Sequence, residues 1–336
     1  MNGASPQSGE SSRRLFVLRV LGTVLSLALL VYLIQAQGWG EFRDVMRRVS
    51  WWHLVLAVLL IIGSRIFTTL RWLVLLRYAD AKINFWQALR LIFVGNFASN
   101  FLPSTVGGDF VRLAGTIQLG IDPATSAASL VVDRLVGMAG MASLSPFGLF
   151  LLTRGAGAAQ ALQGFALLGM FAGIGQRIDR LPVIGPIYRK AQRFFHELVR
   201  HSIGWFRQPE SLVLAILFTF GHMLFTFLTI WMLLGGMHQS ISLWWVGALW
   251  SLSYFVSLVP FSINGLGLQE VSITMLYSQF GGVSMESALA LAVITRMLFL
   301  LASLPGALFA PDILRPRKNA VRPETGDSST PSSEVH

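Results

Sequence analysis

The chain has 336 residues, of which 54% are hydrophobic and 12% charged, against roughly a quarter charged in soluble domains. That balance excludes a soluble enzyme and indicates a polytopic membrane protein, in which a net charge of +10 reports topology and anionic headgroups and not nucleic acid. With no cysteine, disulfides, thiol nucleophiles and thiolate metal sites are excluded.

Residues 1–14 form a Ser/Gly/Pro-rich tail expected to be disordered and cytoplasmic. Leu15–Ile34 is apolar apart from Arg19 and long enough to span. The sequence after it lacks a good cleavage site, so it is taken as an anchor and not a signal peptide. Trp39–Val49 places Trp39, Phe42, Val45, Met46 and Val49 on one helical face and its basic residues opposite, the pattern of an interfacial helix. His53–Leu76 spans again, carrying Arg65 near its middle and Arg71 further along. Phe85–Leu102 re-enters, breaks at Pro103 and leaves through Phe110–Leu119. Ala124–Leu152 is a full span with Asp133-Arg134 early in its course, and Ala158–Gly175 another. Gln176–Pro209 is a cytoplasmic loop whose amphipathic pattern suits a helix lying on an anionic leaflet. Ser211–Leu234 spans with His222 inside it. Leu243–Val259 runs to Pro260, and Ser262–Phe280 turns back after Gly265 and Gly267. Ala288–Pro311 is the last span, carrying Arg296, and a disordered tail closes the chain over 312–336.

Two stretches interrupt this apolar run in the same way. Asn96–Arg112 holds Pro103, Gly107, Gly108, Asp109 and Arg112. Val259–Glu270 holds Pro260, Gly265, Gly267 and Glu270. Proline removes a backbone donor and glycine permits angles other residues avoid. Irregular backbone at membrane depth survives only inside protein or along a wet cavity. The expected fold is therefore all-α and polytopic, with six full spans and two re-entrant broken hairpins; eight kinked full spans are the alternative. With both termini cytoplasmic, the basic residues gather inside, leaving Arg43, Arg47, Arg48 and Arg154 outside. The halves, 15–152 and 158–311, then run in opposite directions as a pseudo-symmetric inverted repeat, an arrangement typical of transport sites.

Unpaired intramembrane charge is expensive, so Arg65, Arg71, Asp109, Arg112, Asp133, Arg134, Glu270 and Arg296 must face partners, water or a headgroup. Their functional reading is a polar cavity in which arginine forks hold a lipid phosphate, with Arg112 and Arg296 gripping from opposite sides of the midplane. The plainer reading is a set of internal ion pairs, with Arg71 snorkelling to the interface. His222 reads as a satisfied intramembrane histidine. No spacing of histidines suggests a metal site, no cofactor is expected, and no catalytic constellation is evident.

Several motifs in order carry a resemblance. They are R-W-x-x-L-L at Arg71–Leu76, G-N at Gly95-Asn96, L-P-x-x-x-G-G-D-x-x-R at Leu102–Arg112, and D-R at Asp133-Arg134. P-x-x-x-x-G-x-G-x-x-E follows at Pro260–Glu270, then Arg296. Across residues 15–312 the chain resembles the flippase-like membrane domain of the lysylphosphatidylglycerol synthase (multiple peptide resistance factor) superfamily, as a stand-alone member without the synthase domain. The resemblance implies a bacterial inner-membrane protein that translocates or binds a phospholipid or polyprenyl-linked lipid. Its partners would be membrane lipids, anionic or polyprenyl-linked, with a lipid-modifying enzyme encoded separately. Gln269 stands where many relatives carry a base. A membrane-embedded lipid-headgroup enzyme and a non-transporting partner of a lipid-modifying enzyme are the competing functions.

Overall fold

The computed structural model describes residues 39–102, 107–154, 209–258 and 265–314, with isolated positions between 24 and 35. Most of the expected Leu15–Ile34 span, Ala158–Gly175, the 176–208 loop, Pro103, Pro260 and both tails lie outside the described residues. The described residues form helices and no strands. In chain order these are α1 (Trp39–Arg48), α2 (Trp51–Tyr78), α3 (Phe85–Ser99), α4 (Gly107–Gln118), α5 (Pro123–Arg154), α6 (Pro209–Gly236), α7 (Leu243–Ser257), α8 (Leu268–Phe280), α9 (Met285–Ser303) and α10 (Pro305–Leu314).

Length separates them into two kinds. At 1.5 Å per residue, the 28 residues of α2 and of α6 reach about 42 Å, beyond the roughly 30 Å of a hydrocarbon core. Among the described residues, four segments are long and apolar enough to cross a membrane: Trp51–Tyr78, Pro123–Gly148, Pro209–Gly236 and Met285–Ala310. By contrast α3, α4, α7 and α8 have 15, 12, 15 and 13 residues, only about 18–22 Å each.

Local chemistry sets the ends. The Asn84 side chain accepts from the Gln87 amide at 2.8 Å while Gln87 accepts from the Asn84 amide at 3.0 Å, a capping box that starts α3. Ser242 and Ser284 start α7 and α9 as N-caps, and Asp122 accepts from the Thr125 amide at the head of α5.

The long helices α2 and α6 pack along each other. Gly63 faces the Phe225 ring and Gly221 faces Phe67, because glycine lets neighbouring membrane helices approach closely. Their ends fix the direction. Gly236 abuts the His53 ring and the Tyr78 hydroxyl donates to Glu210 at 3.4 Å, so the two run antiparallel. Around them sits a core that includes Ile61, Ile230, Leu234, Leu249 and Tyr277. A second cluster of Trp72, Ile83, Leu91 and Ile121 joins α2, α3 and the start of α5. Leu59, Leu217, Phe220, Met297 and Leu308 point outward, as lipid-facing residues do.

Three expectations are corrected or narrowed. Gly107 and Gly108 are helical, in the first turn of α4, and neither has a positive φ, whereas Gly265 (φ 69°) and Gly267 (φ 82°) do. The α4 pair is needed for space: a Cβ on Gly108 would collide with Ser99 Oγ and the Gly95 carbonyl, and one on Gly107 with Leu102. Second, of the returning arm Ser262–Phe280 only the part from Leu268 is described as helix, with the positive-φ Gly267 as its N-cap. Third, the last apolar segment is not one straight helix. Pro305 lacks the amide needed to continue α9, so α10 starts there, bringing Gly306 against the Phe93 carbonyl of α3.

Candidate functional site

Five charged side chains from three helices join in one alternating chain. Asp133 on α5 accepts from Arg71 Nε on α2 at 2.7 Å and from an Arg112 Nη on α4 at 3.2 Å. The other Nη of Arg112 donates to Asp109 at 3.1 Å, and Asp109 in turn accepts from Arg134 Nε. Asp133 is the most enclosed, with 3% of its side chain exposed, and Arg134 the least, at 33%. Among the described residues, three guanidiniums thus share two carboxylates.

Helical geometry explains how these residues meet. Asp109 and Arg112 are one turn apart on α4, so they share a face. The adjacent Asp133 and Arg134 diverge by about 100° on α5, and so each takes a different carboxylate or guanidinium partner. Gly95 of α3 makes room for the arrangement: a Cβ there would meet Arg112 Cγ at 2.9 Å. The Arg112 guanidinium lies 4.0 Å from the Trp72 ring centroid, a cation–π contact. Trp72 is held by its indole N–H, which donates to Ser129 at 3.1 Å. The Nε of Arg112 is buried with no partner in the protein. Arg71 does not snorkel: it is buried on Asp133, with a further 3.4 Å contact to Thr219 of α6.

A second group lies on α8 and α9. Glu270 pairs with Arg296 at 3.5 Å, and its other oxygen accepts from the Gly267 amide at 2.6 Å. One carboxylate thus caps α8 and meets an arginine. Arg65 of α2 sits half-buried with its guanidinium 5.6 Å from the centre of the Phe299 ring on α9. Left unpaired at a helix centre, an arginine costs roughly 2.5–3.5 kcal/mol on insertion scales.

The two groups correspond in construction. In each, an acid in the first turn of a short helix meets an arginine on the following long helix. Asp109 to Arg134 is 25 residues; Glu270 to Arg296 is 26, by subtraction of the two numbers. The positional counterpart of Arg296 is therefore Arg134 and not Arg112, which spacing from the hairpin alone suggested. Arg112 instead bridges both aspartates.

Sequence reasoning missed Thr219 and Tyr254, and met Trp72 as part of the R-W-x-x-L-L motif, with no role at the site. Tyr254 on α7 stands within electrostatic range of Arg134, Arg71, Asp133 and Asp109. Its only sequence signal was an aromatic hydroxyl just ahead of a predicted break. His222 is satisfied as expected, with Thr68 Oγ1 at 3.2 Å and the Ser64 carbonyl at 3.3 Å from its Nδ1. Among the described residues no three His, Asp or Glu side chains are grouped to hold a metal.

Beside the ionic chain lies an apolar cavity of about 690 Å³ lined by residues that include Phe67, Leu144, Phe218, Met223, Phe227 and Gly247. Met223 and Thr219 together face Gly140, so its wall adjoins the residue that Arg71 touches.

A family model described as the lysylphosphatidylglycerol synthase TM region matches residues 19–306. A UPF0104 membrane protein of Archaeoglobus fulgidus is 23% identical over 291 residues, covering 78% of this chain and 87% of the relative.

Proposed function

This chain belongs to the lysylphosphatidylglycerol synthase transmembrane-region family, and we propose that it binds a phosphate-bearing lipid and moves it between leaflets. It is a multi-pass membrane protein of a family related to lipid handling. The finer reading is of a bacterial inner-membrane protein with cytoplasmic termini, whose ligand is a phospholipid or a polyprenyl-linked lipid.

One observation carries this reading: Arg112, which bridges Asp133 and Asp109 at the centre of the ionic chain, keeps its Nε buried with no hydrogen-bond partner. A buried donor left unmade is costly. A phosphate oxygen supplies the missing acceptor, and arginine forks match a phosphate diester. The adjoining apolar cavity of about 690 Å³ suits part of a hydrocarbon tail. We read the chain as non-catalytic: Asp109, Asp133 and Glu270 are each committed to guanidinium partners. A separately encoded lipid-modifying enzyme would supply the ligand.

The same reading takes α3–α4 and α7–α8 as re-entrant hairpins in an inverted repeat with six full spans. Support comes from the ends. Ile83 and Ile121, flanking α3–α4, fall in one cluster. Flanking α7–α8, the Ser284 amide donates to Gln239 at 3.3 Å. The antiparallel α2 and α6 put these two sets of ends on opposite sides.

The test uses Arg134, the most exposed member. Arg112 holds two carboxylates at once, so replacing it confounds binding with stability. Arg134→Lys keeps the charge and loses the planar fork. Transfer of headgroup-labelled phosphatidylglycerol in proteoliposomes should fall at least about tenfold, equivalent to roughly 1.4 kcal/mol, with melting temperature nearly unchanged. If stability and transfer decline in step across Arg134→Lys, Arg134→Gln and Asp109→Asn, the ionic chain is structural and the reading fails.

A further inference from the structure

We infer that Arg65 is the centre of a second phosphate-binding station, separate from the ionic chain and lying between α2, α6 and α9. The inference deepens the lipid-handling reading and rests on it.

Arg65 lies at position 15 of the 28-residue α2, the middle of a span, where charge is retained for function or partnered. Its described contact is the Phe299 ring, and no carboxylate among the described residues pairs with it. Phe299 is itself braced by the edge of Trp250 on α7, 6.0 Å between centroids. A ring face attracts a guanidinium but does not neutralise it, so the forked N–H groups of Arg65 keep capacity for an anion. Arg296 is one turn from Phe299 on α9 and shares its face.

Placement along α2 gives the second station a role. Ser64, Arg65, Thr68, Thr69 and Arg71 place polar groups along one stretch of α2, and Thr68 lies three residues from each arginine, on a shared face with either. Six residues separate the two arginines, about 9 Å of helix axis. His222 of α6 stands between them: its ring contacts Thr68 and the Ser64 carbonyl and lies within electrostatic range of both Arg65 and Arg71. A phosphate leaving the ionic chain therefore meets a second guanidinium about 9 Å further along the helix axis, with polar groups along the way. The ligand is a phosphate monoester or diester; a lipid headgroup and a soluble phosphate present the same oxygens.

The experiment combines labelling of the wild-type protein with two variants. Phosphatidylglycerol with a photoreactive headgroup, in proteoliposomes of the full chain, should label peptides containing Arg65 or Phe299 as well as those of α4 and α5. Labelling confined to α4 and α5 overturns the second station, whatever the variants do. Native mass spectrometry with added phosphatidylglycerol should show Arg65→Gln and Arg134→Gln each retaining one fewer lipid than wild type. Arg65→Gln should also melt no lower than wild type, because an uncompensated charge is removed; a lower melting temperature with unchanged lipid number marks a structural cation and sinks the inference. If Arg65→Gln keeps both lipids while Arg134→Gln loses one, the second station falls and the ionic-chain reading stands. If neither loses lipid, both fall. Glycerol 1-phosphate at millimolar concentration identifies the source: displacement of the label at Arg65 assigns a soluble phosphate, persistence assigns the lipid.

Discussion

Asp133 holds two guanidiniums with one carboxylate, which makes it the residue on which the first group most depends. Removing one partner of a buried ion pair strands the other charge, at a cost of about 3–5 kcal/mol. Asp133→Asn strands Arg71 and takes away one of the two carboxylates that hold Arg112, whereas Tyr254→Phe removes a hydroxyl and strands no charge. In detergent, Asp133→Asn should show the largest fall in melting temperature of any single change in the chain of five, and Tyr254→Phe almost none. Reduced lipid transfer with intact stability in Tyr254→Phe would identify its hydroxyl as a headgroup contact. The charged residues themselves were legible in the sequence, because charge in an apolar span demands an explanation. Their pairing was not. Which carboxylate an arginine reaches depends on helix rotation, which a motif such as D-x-x-R does not encode. Arg71 illustrates this: its distance from the segment end suggested snorkelling, but its face of α2 turns toward Asp133.

At the scale of elements, the two interruptions were legible from proline and glycine, but the jobs of the glycines were not. Gly267 supplies a left-handed N-cap to α8, while Gly108 supplies space in a regular helix packed against Gly95. Substitutions should separate the two. Gly267→Ala meets backbone strain of about 1–2 kcal/mol, and Gly108→Ala meets a collision that backbone must relieve. Gly235, with no atom within 4 Å of an added Cβ, is the control, and Gly235→Ala should melt with wild type. Equal melting of all three variants would refute the division. Glu270 offers a sharper case. Glu270→Gln can still accept from the Gly267 amide and loses only the charge opposite Arg296, whereas Glu270→Ala loses the cap as well. The difference between them should be about 1 kcal/mol, the usual worth of an N-cap, read as a gap in thermal stability. The bend at Pro305 escaped the sequence reading because hydropathy continues across it; a single window from Met285 to Ala310 still reads as one span.

For the whole molecule, the question is whether each short-helix pair returns to the side it left. Hydropathy cannot decide this, since a kinked full span and a hairpin have the same composition. The ends of the elements bear on it. Ile83 and Ile121 share a cluster, Ser284 bonds to Gln239, and the contacts of His53 and Tyr78 make α2 and α6 antiparallel. The chain has no native cysteine, so single cysteines report position without background. Ala81→Cys and Gln118→Cys flank α3–α4, and Gln239→Cys and Gln279→Cys flank α7–α8. A membrane-impermeant maleimide added to intact cells should label Gln239→Cys and Gln279→Cys but neither of the first two; in inverted vesicles the pattern should reverse. Eight kinked full spans require Ala81→Cys and Gln118→Cys to label from opposite faces, and that result would remove the inverted repeat. If the hairpins are opposed, as proposed, they approach each other from opposite surfaces near Tyr254 and the ionic chain, and rearrangement of either hairpin would open a headgroup held there to one leaflet or the other.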